Sequence, residues 1–193
     1  AQFTNTADNA ELWRESDAFT REVRAGETAE SIKQQPAIAA TREAYKRCGK
    51  DPSRYRPSAE ALRRRLMRGL ELYQIDTLVD LVNLVSLRTG YSIGGFDAAQ
   101  IQGDSLELGI GRAEEPFEGI GRGTLNIEGL PVYRDRAGGI GTPTSDNERT
   151  KMGLETRRIL AIVNVYNGRE GLAEAAGMIQ ELLRKYADAD GGT

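Results

Sequence analysis

The stretch LVDLVNLVSLRTGYSIGGFD, Leu78 to Asp97, changes character at Gly90. Up to Leu87 it is apolar apart from a few polar positions, which predicts a helix closed by the glycine. Beyond it, from Tyr91 to Thr144, the short apolar runs YSI, LELGI, TLNI and LPVY are separated by Gly, Asp or Pro, and more than half of the chain's 22 glycines fall here. That pattern predicts short strands joined by tight turns.

Outward from this junction the chain reads as helix on both sides. Upstream, Pro57-Ser58 opens a helix over Ala59 to Arg68, ended by Gly69. Gly49-Lys50-Asp51-Pro52 is a stop and turn, and Asn9 to Arg24 and the residues from Thr28 carry helical spacing, so the first 48 residues are predicted mostly helical. Downstream, Thr156 to Tyr166 (TRRILAIVNVY) has the β-branched content of a buried strand, and Glu170 to Tyr186 the apolar spacing of a closing helix. Helices, then strands, then a helix predict an α+β fold. At 193 residues a single domain is expected: a helical N-terminal extension over 1–45, a core over 46–166, a closing helix over 167–187 and a flexible tail over 188–193.

Composition narrows the chemistry. There is no histidine and one cysteine, Cys48, which excludes Ser-His-Asp triads, Cys-His dyads and the usual zinc sites. No metal or other cofactor is expected, and any hydrolysis must use carboxylates, hydroxyls, arginines, backbone amides or the substrate. No apolar run approaches the ~20 residues of a membrane helix. The start AQFTNTADNAELW lacks the regions of a signal peptide. A cytoplasmic protein without a membrane partner is expected.

The net charge of -3 hides two lobes. Arg42 to Arg68 holds ten basic residues and three acids, net +7, while Asp97 to Glu148 holds ten acids and four arginines, net -6. Arg54, Arg56 and the helix arginines Arg63, Arg64, Arg65 and Arg68 could line a groove for phosphates. Equally, Glu60, Arg64 and Arg68 at successive i,i+4 steps form an ordinary solvated ladder.

Two polar groups of residues stand out. The glycine pieces GIGR, GIGRG and GGIG (within Gly109 to Gly141) fit no nucleotide-binding motif and read as hairpin turns needing positive φ. The loop TPTSDNERT, Thr142 to Thr150, has no hydrophobic residue. In it Ser145 or Asp146 is either a helix cap or Asx turn, or joins Arg149 and Thr150 in holding a water and an ester carbonyl. Asn83 and Ser86 interrupt the apolar helix three residues apart, on nearly one face, and face either a ligand or neighbouring backbone.

Three stretches together resemble a known family: DPSRYRPSAEALRRRL (Asp51 to Leu66), the opening stretch itself, and TPTSDNERTKMGLETRRILAIV (Thr142 to Val163). They are similar to the tRNA-editing module of the bacterial phenylalanyl-tRNA synthetase β subunit, in its freestanding form. The resemblance implies an α+β fold with a pocket between sheet and helices and hydrolysis of an amino acid wrongly attached to tRNA. At the segment matching the synthetase's Met-His-Ala-Phe-Asp sequence this chain has Ile93, Gly94, Gly95, Phe96 and Asp97, with Gly94 at the histidine position. No ATP-binding catalytic module or anticodon-binding segment is visible, so a complete synthetase is not expected.

The reading that follows is a trans-acting hydrolase with tRNA as partner. Asn83, Ser145 and Asp146 would orient water and carbonyl, and Arg149 would balance developing charge. Arg54, Arg56, Ser58, Ser86 and Thr150 would contact substrate, and Arg64 and Arg68 tRNA phosphates. A vicinal ribose hydroxyl would assist the attacking water. The alternatives are a non-catalytic module binding RNA, an amino acid or a small metabolite, and an accessory protein contacting a synthetase or ribosome. Amino acid, tRNA and oligomeric state are left open by the sequence.

Overall fold

The computed structural model describes residues 3–190. The chain enters through three helices, α1 (Ala10–Gly26), α2 (Ala29–Gln34) and α3 (Pro36–Arg47), followed by α4 (Ser58–Met67) and α5 (Thr77–Thr89). Local chemistry sets their ends. Asn9 accepts from the Leu12 N–H, Thr28 and Ser31 form a reciprocal capping box, Pro36 sits in the first turn of α3, and Asp76 accepts from the Val79 N–H. Gly90 closes α5 in the left-handed conformation at φ 76°, as its place after the apolar run predicts.

The glycine-rich part folds into short strands, as expected, and these pair antiparallel. β1 (Ile93–Asp97) pairs with β7 (Ile159–Val163), while β2 (Glu107–Ile110), β5 (Pro131–Asp135) and β6 (Gly138–Gly141) form a second sheet in the order β2-β5-β6. β3 (Glu118–Gly119) and β4 (Gly123–Thr124) make a small hairpin. Helix α6 (Leu172–Tyr186) closes the chain against α5. The result is a single α+β domain.

The main core lies between α5, α6, the start of α1 and the β1–β7 pair; Leu12, Leu78, Leu81, Leu84, Val85 and Ala175 are its interior. A second cluster, Tyr45, Phe117, Ile127, Leu130 and Val132, joins α3 to the β5 sheet.

Three local expectations change. The run around Ile159–Val163 is half-buried rather than buried, because β7 pairs only with β1 and its Ile159, Ala161 and Val163 alone pack against the core. GIGRG does turn through positive φ, at Gly121 and Gly123. In GIGR, however, Gly111 is required by packing: a Cβ there would run into the carbonyl of Ile127, where the two segments bridge. Of the expected tail, residues 191–193 lie outside the described residues, whereas Ala189 donates to Leu183 O at 3.2 Å and packs on the core.

Candidate functional site

Between α5, β1 and the segment after the polar loop lies a cavity of about 450 Å³. Val79, Val82 and Asn83, at i, i+3 and i+4, present one face of α5 to it, and Ile93 and Gly95 present one face of β1. Met152 closes another side, and the exposed Ile75, Ile120 and Leu154 form the mouth, where the lining meets solvent. The lining is mostly apolar with a few polar groups, the composition of a small-molecule site.

Asp146 is one of the few polar groups in this wall. Its Oδ2 accepts the Gly95 N–H at 3.1 Å, and its carbonyl accepts the Ile120 N–H at 3.1 Å. Bridges between Gly141 and Asp146 and between Phe96 and Lys151 hold the loop against β1 and β6. The Phe96 ring lies against the same carboxyl, over Gly94 and Gly141. A Cβ on Gly94 would stand 2.7 Å from Phe96 Cζ and 3.0 Å from Asp146 Oδ1, and one on Gly141 2.5 Å and 2.9 Å from the same atoms. Glycine at both positions is what lets ring and carboxyl share this corner. Burial pushes the Asp146 carboxyl up to about 7, and the single N–H from Gly95 offsets only part of that.

Helix α5 also anchors the mouth. Asp80 receives the Ile75 N–H at 3.1 Å and the Trp13 Nε1–H at 2.9 Å, tying the cavity rim to α1. Burial pushes its carboxyl up to about 6. Asp76, the cap of α5, lines the cavity, as does Lys151, whose ammonium is paired with Glu148.

The sequence-predicted residues divide. Asp146 and Asn83 line the cavity. Ser86, three residues from Asn83, is 2% exposed inside the helix layer. Ser145 closes a turn with Thr142, whose Oγ1 receives its N–H at 3.1 Å. Thr150 is fully buried, with no partner for its Oγ1 among the described residues. Arg149 turns away from the lining and grips Asp135 with both terminal nitrogens, at 2.8 and 3.0 Å. The cap of the short 3-10 turn Glu148–Thr150 is Asn147, not Ser145 or Asp146, which leaves Asp146 facing the cavity. Sequence reasoning missed Asp76, Lys151, Met152 and Ile93. Val79, Val82 and Asn83 were within its reach through their helical spacing; the others arrive from distant segments.

The basic cluster divides as well. Arg63 is buried, bonded to Glu27 and to the Leu87 carbonyl, and Arg42 and Arg64 both bind Glu60, which is fully buried. Lys50 donates to the carbonyls of Asn126 and Glu128. Ser58 begins α4, its N–H bonded to Pro143 O at 2.8 Å. Arg54 and Arg68 are exposed and Arg56 half-buried, all outside the cavity lining. Three of the ten basic residues, Arg42, Arg63 and Arg64, thus belong to interior ion pairs and Lys50 to backbone carbonyls, while Lys46, Arg47, Arg54 and Arg68 remain at the surface.

Among the described residues no helix is long and apolar enough to cross a membrane. The chain matches the B3/4 domain over residues 40–184. It belongs to that family, which is found in the phenylalanyl-tRNA synthetase β subunit. No curated protein matched it.

Proposed function

We propose that this member of the B3/4 family is a trans-acting deacylase that hydrolyses the ester of a wrongly attached amino acid on tRNA. The observation that carries the reading is the Asp146 carboxyl in the wall of an apolar cavity of about 450 Å³, a size suited to an amino-acid side chain. Val79, Val82, Ile93 and Met152 would receive that side chain. Asp146, with its acidity near neutrality, would take a proton from the attacking water as general base. Asn83 would orient the water or the carbonyl. Lys151 lines the cavity and, by turning its ammonium from Glu148 to the substrate, would balance the developing negative charge, the part the sequence assigns to Arg149. A ribose hydroxyl next to the ester would share the work of activating water.

A panel of mischarged tRNAs tests the reading. Cleavage of a narrow set, abolished by Asp146→Asn, is expected. No cleavage of any member would defeat it.

A second reading has one observation in its favour. The family resemblance places a histidine at Gly94, yet a Cβ at that position meets the Phe96 ring and the Asp146 carboxyl, and the chain has no histidine elsewhere. A cavity so built suits a non-catalytic module that binds RNA, an amino acid or a small metabolite. Tight binding of an aminoacylated tRNA without turnover would select it.

A further inference from the structure

Residues 70–76 join α4 to α5 without regular structure, but they are held in place. Leu72 packs with Val23, Leu66 and Leu87, Arg24 donates to Leu70 O at 3.2 Å, and Arg65 Nε donates to Glu71 O. On this tethered segment Tyr73 is 66% exposed. Its ring nonetheless has a partner. The Arg65 guanidinium lies 3.8 Å from the ring centroid, and its Nη1 donates to the phenol oxygen at 3.1 Å. One arginine thus contacts both the backbone and the aromatic side chain of the loop, which orients the ring.

The position of this ring matters. Ile75, two residues on, is 55% exposed and lines the cavity, so Tyr73 stands within about 7 Å of chain from the mouth. Arg65 lies on the ring and Arg24 is bonded to the same segment at Leu70 O, while the neighbouring Glu71 is exposed. A pre-oriented aromatic face beside arginines is the construction that binds unpaired nucleotides: the ring stacks on a base and the guanidinium groups meet phosphates.

From this juxtaposition we infer that Tyr73, clamped by Arg65, is the stacking platform for the unpaired terminal nucleotides of an RNA whose esterified end enters the cavity. The inference rests on the deacylase reading above and assigns it an approach route. The bases run over Tyr73, and the last sugar reaches the mouth at Ile75.

The test compares one tRNA with an intact single-stranded 3′ end and the same tRNA trimmed of those nucleotides, both uncharged, in binding to the wild-type chain, Tyr73→Ala and Tyr73→Trp. Tyr73→Ala should weaken binding of the intact tRNA about tenfold and leave the trimmed one unchanged. Tyr73→Trp, which keeps a stacking face, should stay close to wild type. In deacylation of a cleavable tRNA, Tyr73→Ala should raise KM with kcat unchanged. Equal loss on intact and trimmed tRNA, or no loss on either, overturns the platform. If the wild-type chain deacylates and Tyr73→Ala matches it in KM, the platform alone is wrong. If the wild-type chain neither prefers the intact end nor deacylates, the platform and the deacylase reading fall together.

Discussion

The N–H of Gly95 in β1 donates to Oδ2 of Asp146 at 3.1 Å across 51 residues of sequence, and this bond aims the loop carboxyl at the cavity. It could form only because Gly94 and Gly141 leave room for the Phe96 ring on the other side of the same carboxyl.

The pH dependence of activity should report Asp146. Its acidity is shifted to about 7, so deacylation should rise with pH through an inflection there, where a base must be deprotonated. Asp146→Asn should remove both the inflection and the activity. A rate profile flat across neutrality in the wild-type chain would place the base elsewhere.

The same group makes a stability prediction with a definite sign. A carboxyl raised above its unfolded value contributes stability that is fully present below about pH 4 and is lost as pH rises through about 7. Asp146→Asn should therefore gain on the wild-type chain as pH goes from 5 to 8. The gain should be about 1–2 kcal/mol, less than the full linkage value because the carboxyl borders an open cavity. Urea unfolding at the two pH values measures it.

Gly94→Ala should cost about 1–3 kcal/mol, since the new methyl would sit 2.7 Å from the Phe96 ring in a packed corner. Phe96→Leu on top of Gly94→Ala should recover part of that loss, and a double-mutant cycle would read the coupling. Additive losses would mean that the ring is not what opposes the methyl.

Arg63 and Arg68, five residues apart, should respond oppositely. Arg63→Ala leaves Glu27 and the Leu87 carbonyl without their buried partner and should destabilise by about 3–5 kcal/mol. Arg68→Ala should leave stability within about 0.5 kcal/mol while reducing the salt dependence of tRNA binding. Chemical denaturation and binding at two salt concentrations separate the two.

Glu15 ties the closing helix to α1. Burial raises its carboxyl, but bonds from Lys185, Tyr186 and Arg88 outweigh this and bring it down to about 2. A lowered carboxyl contributes stability that is present above about pH 4.5 and is lost as pH falls through about 2. Glu15→Gln should lower the thermal midpoint at pH 7 and bring it level with the wild-type chain near pH 2.

Much of this architecture is local and therefore readable along the chain. The apolar run ended by Gly90, the helix opened at Pro57, and the glycine-spaced strands each follow from residues within a few positions of one another, because caps, turns and helical periodicity are short-range. Asp146 stood out as an acid in a loop without apolar residues, and Asn83 as a polar break in an apolar helix. Their partners did not. Whether Arg149 faced the cavity was decided by Asp135 on β5, and whether Asp146 capped a turn by Asn147 beside it and Gly95 on β1. Arg63, Arg64 and Arg65 are identical letters in a row, yet one is buried against Glu27, one binds buried Glu60 and one clamps Tyr73. Successive helix positions point about 100° apart, so each arginine meets a different neighbour, and only the packing of α1, α2 and the 70–76 loop around α4 settles which charge is interior and which stays at the surface.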